Sequence, residues 1–205
     1  MKRTGFVLLV LLFGVWVAPG TATALTWYGP TPYLSAADSP FGGVDFSTGF
    51  FYRENFEDHL FNVPGVTITA TGGRLASTLD PALHDSVDAD DGTIDGSGLR
   101  GDSYWAFGAP GITFTFNASV LGTLPTYAGI VWTDGAGTTL FRAFDALGTP
   151  LGSIGPVAIA DGVYTGTTAE DRFFGVFNSE GIGSIFISNS SGGIEVDHLQ
   201  YGAAT

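Results

Sequence analysis

From Phe50 onward the chain is written as short runs in which apolar and polar residues alternate, each run cut by glycine. No window longer than ten residues keeps helical spacing. A side-chain period of two turns one face to a core and the other to water, so the pattern restricts the fold to antiparallel β-sheet, a sandwich or barrel. Strands are expected over 65–71, 111–117, 127–133, 138–145, 172–178, 184–188 and 193–201. In GITFTFN, Ile112, Phe114 and Phe116 alternate with Thr113 and Thr115, which predicts one buried and one wet face. TTLFRAFDALGTPLGSI reads as a hairpin turning near 146–148, with Leu151 and Ile154 beyond the turn. RFFGVFN is apolar on both faces and is expected to be central.

Residues 25–49 carry Pro30, Pro32 and Pro40 among glycines and hold no sustained period, which predicts an extended lead-in. Ahead of it, Lys2 and Arg3, an apolar run from Phe6 to Ala18 and the small residues Ala22-Thr23-Ala24 have the three-part layout of a secretory signal peptide, residues 1–24. The apolar run is short for a membrane span. The expected organisation is signal peptide 1–24, lead-in 25–49, β-domain 50–202 and tail 203–205, with the product secreted or at the cell surface. Once the signal is removed, five arginines face 20 acids, a net charge of −15 with no lysine. Such a field repels phosphate backbones and anionic lipid and attracts cations, so nucleic acid is excluded as a partner and no membrane span is expected after cleavage. The absence of cysteine removes disulfides, thiol catalysis and thiolate-ligated zinc.

Between the expected strands lies DSVDADDGTIDGSGLRGD, residues 85–102, where six acids and four glycines fall within eighteen residues. Calcium takes six to eight oxygens, and glycine lets a backbone fold tightly enough to present them. Asp88, Asp90, Asp91 and Asp95 therefore form a candidate hard-cation loop, although the spacing is not that of an EF-hand, since Leu99 stands where a bidentate glutamate belongs. A solvated acidic loop satisfies the same composition. In the strand GIEVDHLQYG, Ile194 and Val196 share one parity and Leu199 and Tyr201 the other. That slip predicts either a β-bulge near Asp197 and His198 or a strand apolar on both faces.

The FED of YRENFED, the closing EVDHLQYG and the central FRAFDALGTPLGSI resemble the secreted jelly-roll domains of bacterial PEP-CTERM proteins, themselves similar to galactose-binding-like carbohydrate-binding modules. The resemblance spans about residues 50–202 and implies an antiparallel jelly-roll β-sandwich. It also implies a structural calcium ion where an acid following an early Phe meets an aspartate of the last strand, which nominates Glu57 and Asp197. The chain ends YGAAT without a Pro-Glu-Pro motif, hydrophobic helix or basic tail.

A sugar binder also needs aromatic platforms, for which Tyr104, Trp105 and Trp132 are the candidates. EVDHLQ is similar to the E-x-D-x-x-E strand of laminarinase-type glycosidases, but Gln200 occupies the place of the acid and an amide does not donate a proton as a carboxylic acid does. His59, His84 and His198 lack an H-E-x-x-H pair. The expected function is a non-catalytic, calcium-stabilised, carbohydrate-binding or cell-surface matrix module. A structural envelope protein without a small ligand, or a β-sandwich glycoside hydrolase using Glu195, is the alternative.

Overall fold

A computed structural model describes residues 24–79, 85–89, 101–162 and 171–204 of the chain. The protein is an antiparallel β-sandwich. Its strands are β1 (Leu25–Pro32), β2 (Phe50–Glu54), β3 (Val66–Ala70), β4 (Arg74–Leu75), β5 (Tyr104–Phe107), β6 (Ile112–Phe116), β7 (Tyr127–Phe144), β8 (Pro150–Val157), β9 (Arg172–Asn178) and β10 (Ser184–Ala203). A single turn of helix, Ala118–Leu121, follows β6 with the Asn117 side chain accepting from the Ser119 N–H.

Two long strands, β7 and β10, pair with each other along nearly their whole length and bend together. Beyond one end of the bend, residues 127–132 of β7 pair with β9, β9 pairs with β1, and residues 199–203 of β10 pair with β2. Beyond the other end, residues 139–144 of β7 pair with β8, residues 184–187 of β10 pair with β6, and β6 pairs with β3. The two halves face each other across one core. Phe141 of β7 meets Phe174 of β9 at 6.0 Å between ring centroids, and Phe116 of β6 meets Tyr201 of β10 at 5.1 Å. Ile112, Phe114, Ile130, Trp132, Ile185, Ile187, Val196 and Leu199 complete this core and are fully buried. Burial of that much apolar surface is the main favourable term in such a fold.

The alternation in β6 holds as its sequence predicts, with Ile112, Phe114 and Phe116 buried while Thr115 is exposed. The hairpin between β7 and β8 turns over 145–149, where the Asp145 carboxylate accepts from the Leu147 and Thr149 N–H groups. Strand β9 lies between β1 and β7, and both its faces are covered: Phe174 enters the main core, while Phe173 joins a second cluster with Tyr33, Phe41, Val87 and Val131. The lead-in thus adds an edge strand and packs Tyr33 and Phe41 over the outer face of the sheet.

The expected break between strands 127–133 and 138–145, and between 184–188 and 193–201, does not occur. Each pair is one continuous strand whose pairing slips at irregularities instead of ending. Asn189 holds this corner. Its Oδ1 accepts from Trp132 Nε1 at 3.0 Å and Thr139 Oγ1 at 3.1 Å, and its Nδ2 donates to the Gly193 carbonyl at 2.9 Å. The phase slip near Asp197 is a β-bulge: between the pairs Asp197–Val131 and Gln200–Gly129 one extra residue is accommodated on β10, with His198 at φ +44°. A bulge restores core-facing parity, so Val196 and Leu199 both point inward.

Candidate functional site

Strand β10 alternates Ile194 and Val196 into the core with Glu195 and Asp197 on the opposite face, where Asp85, Ser86, Val87 and Ser103 pack against the two acids. The start of the acidic stretch docks there through its donors. The Asp85 N–H donates to Glu195 Oε2 at 2.8 Å, and the Val87 N–H donates to Asp197 Oδ2 at 2.9 Å. Both carboxylates are fully buried or nearly so. Burial pushes Asp197 up to about 7, against the neighbouring His198, and raises Glu195 well above the ordinary carboxylate range.

Two of the nominated metal ligands meet here. Ser86 Oγ lies 3.1 Å from Asp197 Oδ2 and 3.3 Å from Glu57 Oε1. Glu57 Oε1 also accepts from the Asp102 N–H. A hydroxyl has one proton to donate, so Ser86 satisfies only one of these carboxylates at a time. Gly101 closes the space: a Cβ there would lie 2.6 Å from Ser86 Oγ and 2.9 Å from Glu57 Oε1, at φ +100°. As a donor set for calcium, Glu57 and Asp197 supply carboxylate oxygens of the right kind. Among the described residues no group of three or more acidic or imidazole side chains converges to hold an ion, so backbone carbonyls and water would have to complete the shell.

Asp88, also nominated, faces a different group. Its Oδ2 lies 3.1 Å from His198 Nε2 and accepts from Asn55 Nδ2, while His198 Nδ1 lies 3.0 Å from the Tyr33 hydroxyl. Burial alone would raise the Asp88 carboxyl, but His198 and Asn55 bring it below its ordinary value. Gln200, at the position of the glycosidase acid, belongs to this same network: its Nε2 donates to the Tyr33 hydroxyl and its Oε1 accepts from Ser39 Oγ. Asp90, Asp91 and Asp95 lie outside the described residues, as does His84. His59, by contrast, is exposed and pairs through Nδ1 with Asp102 at 2.9 Å, which raises its pKa.

On the same face as Glu195, four strands bring one row of side chains into register. Arg74 of β4 pairs with Trp105 of β5, Trp105 with Glu195 of β10, and Glu195 with Asp134 of β7. The Arg74 guanidinium sits 4.7 Å from the Trp105 ring centroid. The other three members line a pocket of about 370 Å³, with Leu79, Ala136, Ile194 and Gly162 around them. Gly193 sits against the indole: a Cβ there would stand 2.6 Å from Trp105 Nε1. Burial raises the Asp134 carboxyl to about 6; its Gly135 N–H donor opposes the shift and the negative charge of Asp161 adds to it.

The aromatic expectations divide. Trp105 forms a wall of the pocket. Tyr104, one residue earlier, points to the opposite side, where its ring packs 6.0 Å from Phe56 and its hydroxyl lies against Gly73. Trp132 is corrected from platform to core: it shares the inward parity of Ile130, is fully buried and spends its indole N–H on Asn189, so no ligand face remains. Asp134 was not a sequence candidate, and neither was Ser86.

No family model matches the sequence, and no curated protein matches it. Among solved structures, the C-terminal family 22 carbohydrate-binding module of Clostridium thermocellum Xyn10B aligns over 78% of this chain and 96% of its own, with 16% identity and a TM-score of 0.29. A superposition that loose supports no statement about this chain. The protein is an antiparallel β-sandwich with a small pocket, carrying two carboxylates, at the bend of its two longest strands. Among the described residues no helix is long and apolar enough to cross a membrane.

Proposed function

We propose that the protein is a secreted, non-catalytic β-sandwich that binds carbohydrate in the pocket beside Trp105 and is stabilised by calcium at Glu57 and Asp197. The observation that carries the binding reading is the cross-strand row itself, an indole followed on its own sheet by two pocket carboxylates, Glu195 and then Asp134. An indole offers a face or edge to the C–H side of a sugar ring, and carboxylates accept from its hydroxyls. The calcium reading rests on Asp197, a fully buried carboxylate that shares one hydroxyl with Glu57. Burial disfavours the charge of Asp197, and a divalent cation held between it and Glu57 would relieve that cost.

Affinity electrophoresis through gels containing soluble polysaccharides, with calcium present, tests the reading. Retardation by at least one polysaccharide, lost in Trp105→Ala, is the expected outcome. Unretarded migration in all of them would leave the rival of a structural envelope component without a small ligand. A hydrolase reading is favoured by one specific feature, the adjacency of Asp134 and Glu195 with raised pKa values in a single pocket. It predicts reducing-sugar release from β-glucans that disappears in Glu195→Gln, and inert protein across such substrates would sink it.

A further inference from the structure

We propose that the pocket selects an amine-bearing saccharide, a hexosamine unit whose free ammonium sits between the carboxylates of Asp134 and Glu195 while its ring lies against Trp105. The proposal rests on the carbohydrate reading above and names the sugar class.

The charged groups among the described residues that line the pocket are both carboxylates, and they are direct cross-strand partners. Side chains directly opposite in an antiparallel pair stand about 5 Å apart at Cβ, and like charges so placed repel. The single base of the row, Arg74, is stacked on the indole and does not line the cavity. Asp161 adds a further negative charge beside Asp134. An anionic sugar is therefore repelled, and a neutral one leaves the two acids facing each other. An ammonium group brings three donors on one compact charge and satisfies both.

The acceptors are held in place before any ligand arrives. Glu195 Oε2 is fixed by the Asp85 N–H and lies 3.4 Å from Ser103 Oγ, while Asp134 Oδ1 accepts from the Gly135 N–H. Orientation fixed in advance lowers the ordering cost of binding. Glycines keep the floor open: a Cβ at Gly193 would strike the indole, and one at Gly192 would come within 2.8 Å of Ala136 Cβ. At about 370 Å³ the cavity is at the small end for ligand sites, which suits a chain end or a short oligomer.

The test is calorimetric titration of the protein with glucosamine, N-acetylglucosamine and glucose oligomers of equal length, and with spermidine. The glucosamine oligomer is expected to bind at least about tenfold more tightly than either neutral oligomer, the scale of one charge-assisted hydrogen bond. Asp134→Asn should erase that preference, bringing the glucosamine oligomer down to the affinity of the neutral oligomers measured on the same variant, with circular dichroism confirming the fold. Equal affinity for the three oligomers, or a preference that survives Asp134→Asn, overturns the amine inference while leaving carbohydrate binding intact. Spermidine binding as tightly as the glucosamine oligomer, and unaffected by Trp105→Ala, reduces the site to a cation trap and overturns it as well. No binding of any oligomer removes both the inference and the reading beneath it.

Discussion

Asp134→Asn is expected to stabilise the protein by an amount that grows with pH. The Asp134 carboxyl has a folded-state pKa of about 6 against an ordinary 3.8, because burial disfavours its charge and Asp161 adds to the effect. A carboxyl raised in this way binds its proton more tightly when folded. Its contribution to stability is complete below about pH 4 and is lost as the pH rises through about 6. Roughly two pKa units at about 1.36 kcal/mol each give a loss of about 3 kcal/mol across that window. Asparagine keeps an oxygen for the Gly135 N–H and has no charge to acquire, so it forgoes the loss. Guanidinium unfolding of both proteins between about pH 4 and about pH 8 measures the difference directly, since most other ionising groups are common to the two. Near pH 4 the curves should coincide. Near pH 7 the variant should be ahead by up to about 3 kcal/mol, or roughly 6–12 °C in Tm. A difference that stays flat with pH, or a variant less stable at pH 7, refutes the assignment of a costly buried charge to Asp134.

Other perturbations probe the corner and the calcium reading. Asn189→Ala strips the acceptor from two buried donors, Trp132 Nε1 and Thr139 Oγ1, and should cost about 2–6 kcal/mol in denaturant unfolding. Gly135→Ala drives a methyl group into the Asn189 amide and should cost about 1–3 kcal/mol, whereas a neutral result would show that the corner is loosely packed. Calcium present at about a hundred times its Kd should add about 2.7 kcal/mol, read as a Tm rise over EDTA that magnesium does not reproduce. Glu57→Gln should abolish that rise while changing the Tm in EDTA little, because Glu57 is exposed. Leu147→Ser, at a turn residue 90% exposed, should stay within about 0.5 kcal/mol of the parent protein.

Strands β3, β6 and β9 were legible because each encodes its own faces, whereas β1, β2, β4 and β5 were not among the strands expected. Ile112, Phe114 and Phe116 read inward without knowledge of any neighbour, and of the two readings open for the slip between Val196 and Leu199 the bulge at His198 is the one found. Long-range geometry was partly legible too: Glu57 and Asp197 do lie on either side of Ser86. The corner was not. Asp134-Gly135 has the chemistry of a turn, and the pairing with β10 together with the tertiary bonds of Asn189 carries the strand through it. Nor was the pocket row legible, because bringing Arg74, Trp105, Glu195 and Asp134 abreast depends on cross-strand registers that bulges on β7 and β10 set together. Trp132 misled for a related reason. Its strand parity was plain, but which face of β7 met the core depended on the partner half of the sandwich.

Strand β10 pairs with β2, β5, β6 and β7, and all four precede it in the chain. Neither half of the sandwich therefore has its full set of strands until residues 184–203 have been synthesised. Sheets closed by such distant pairings fold slowly, since the entropy of long loops is lost before the contacts that reward it are made. A nascent chain lacking β10 should stay loose and exposed to proteases, which is the state in which a polypeptide is still able to be threaded through a narrow pore. Pulse proteolysis of chains arrested before and after β10 would show protection arriving in a single late step.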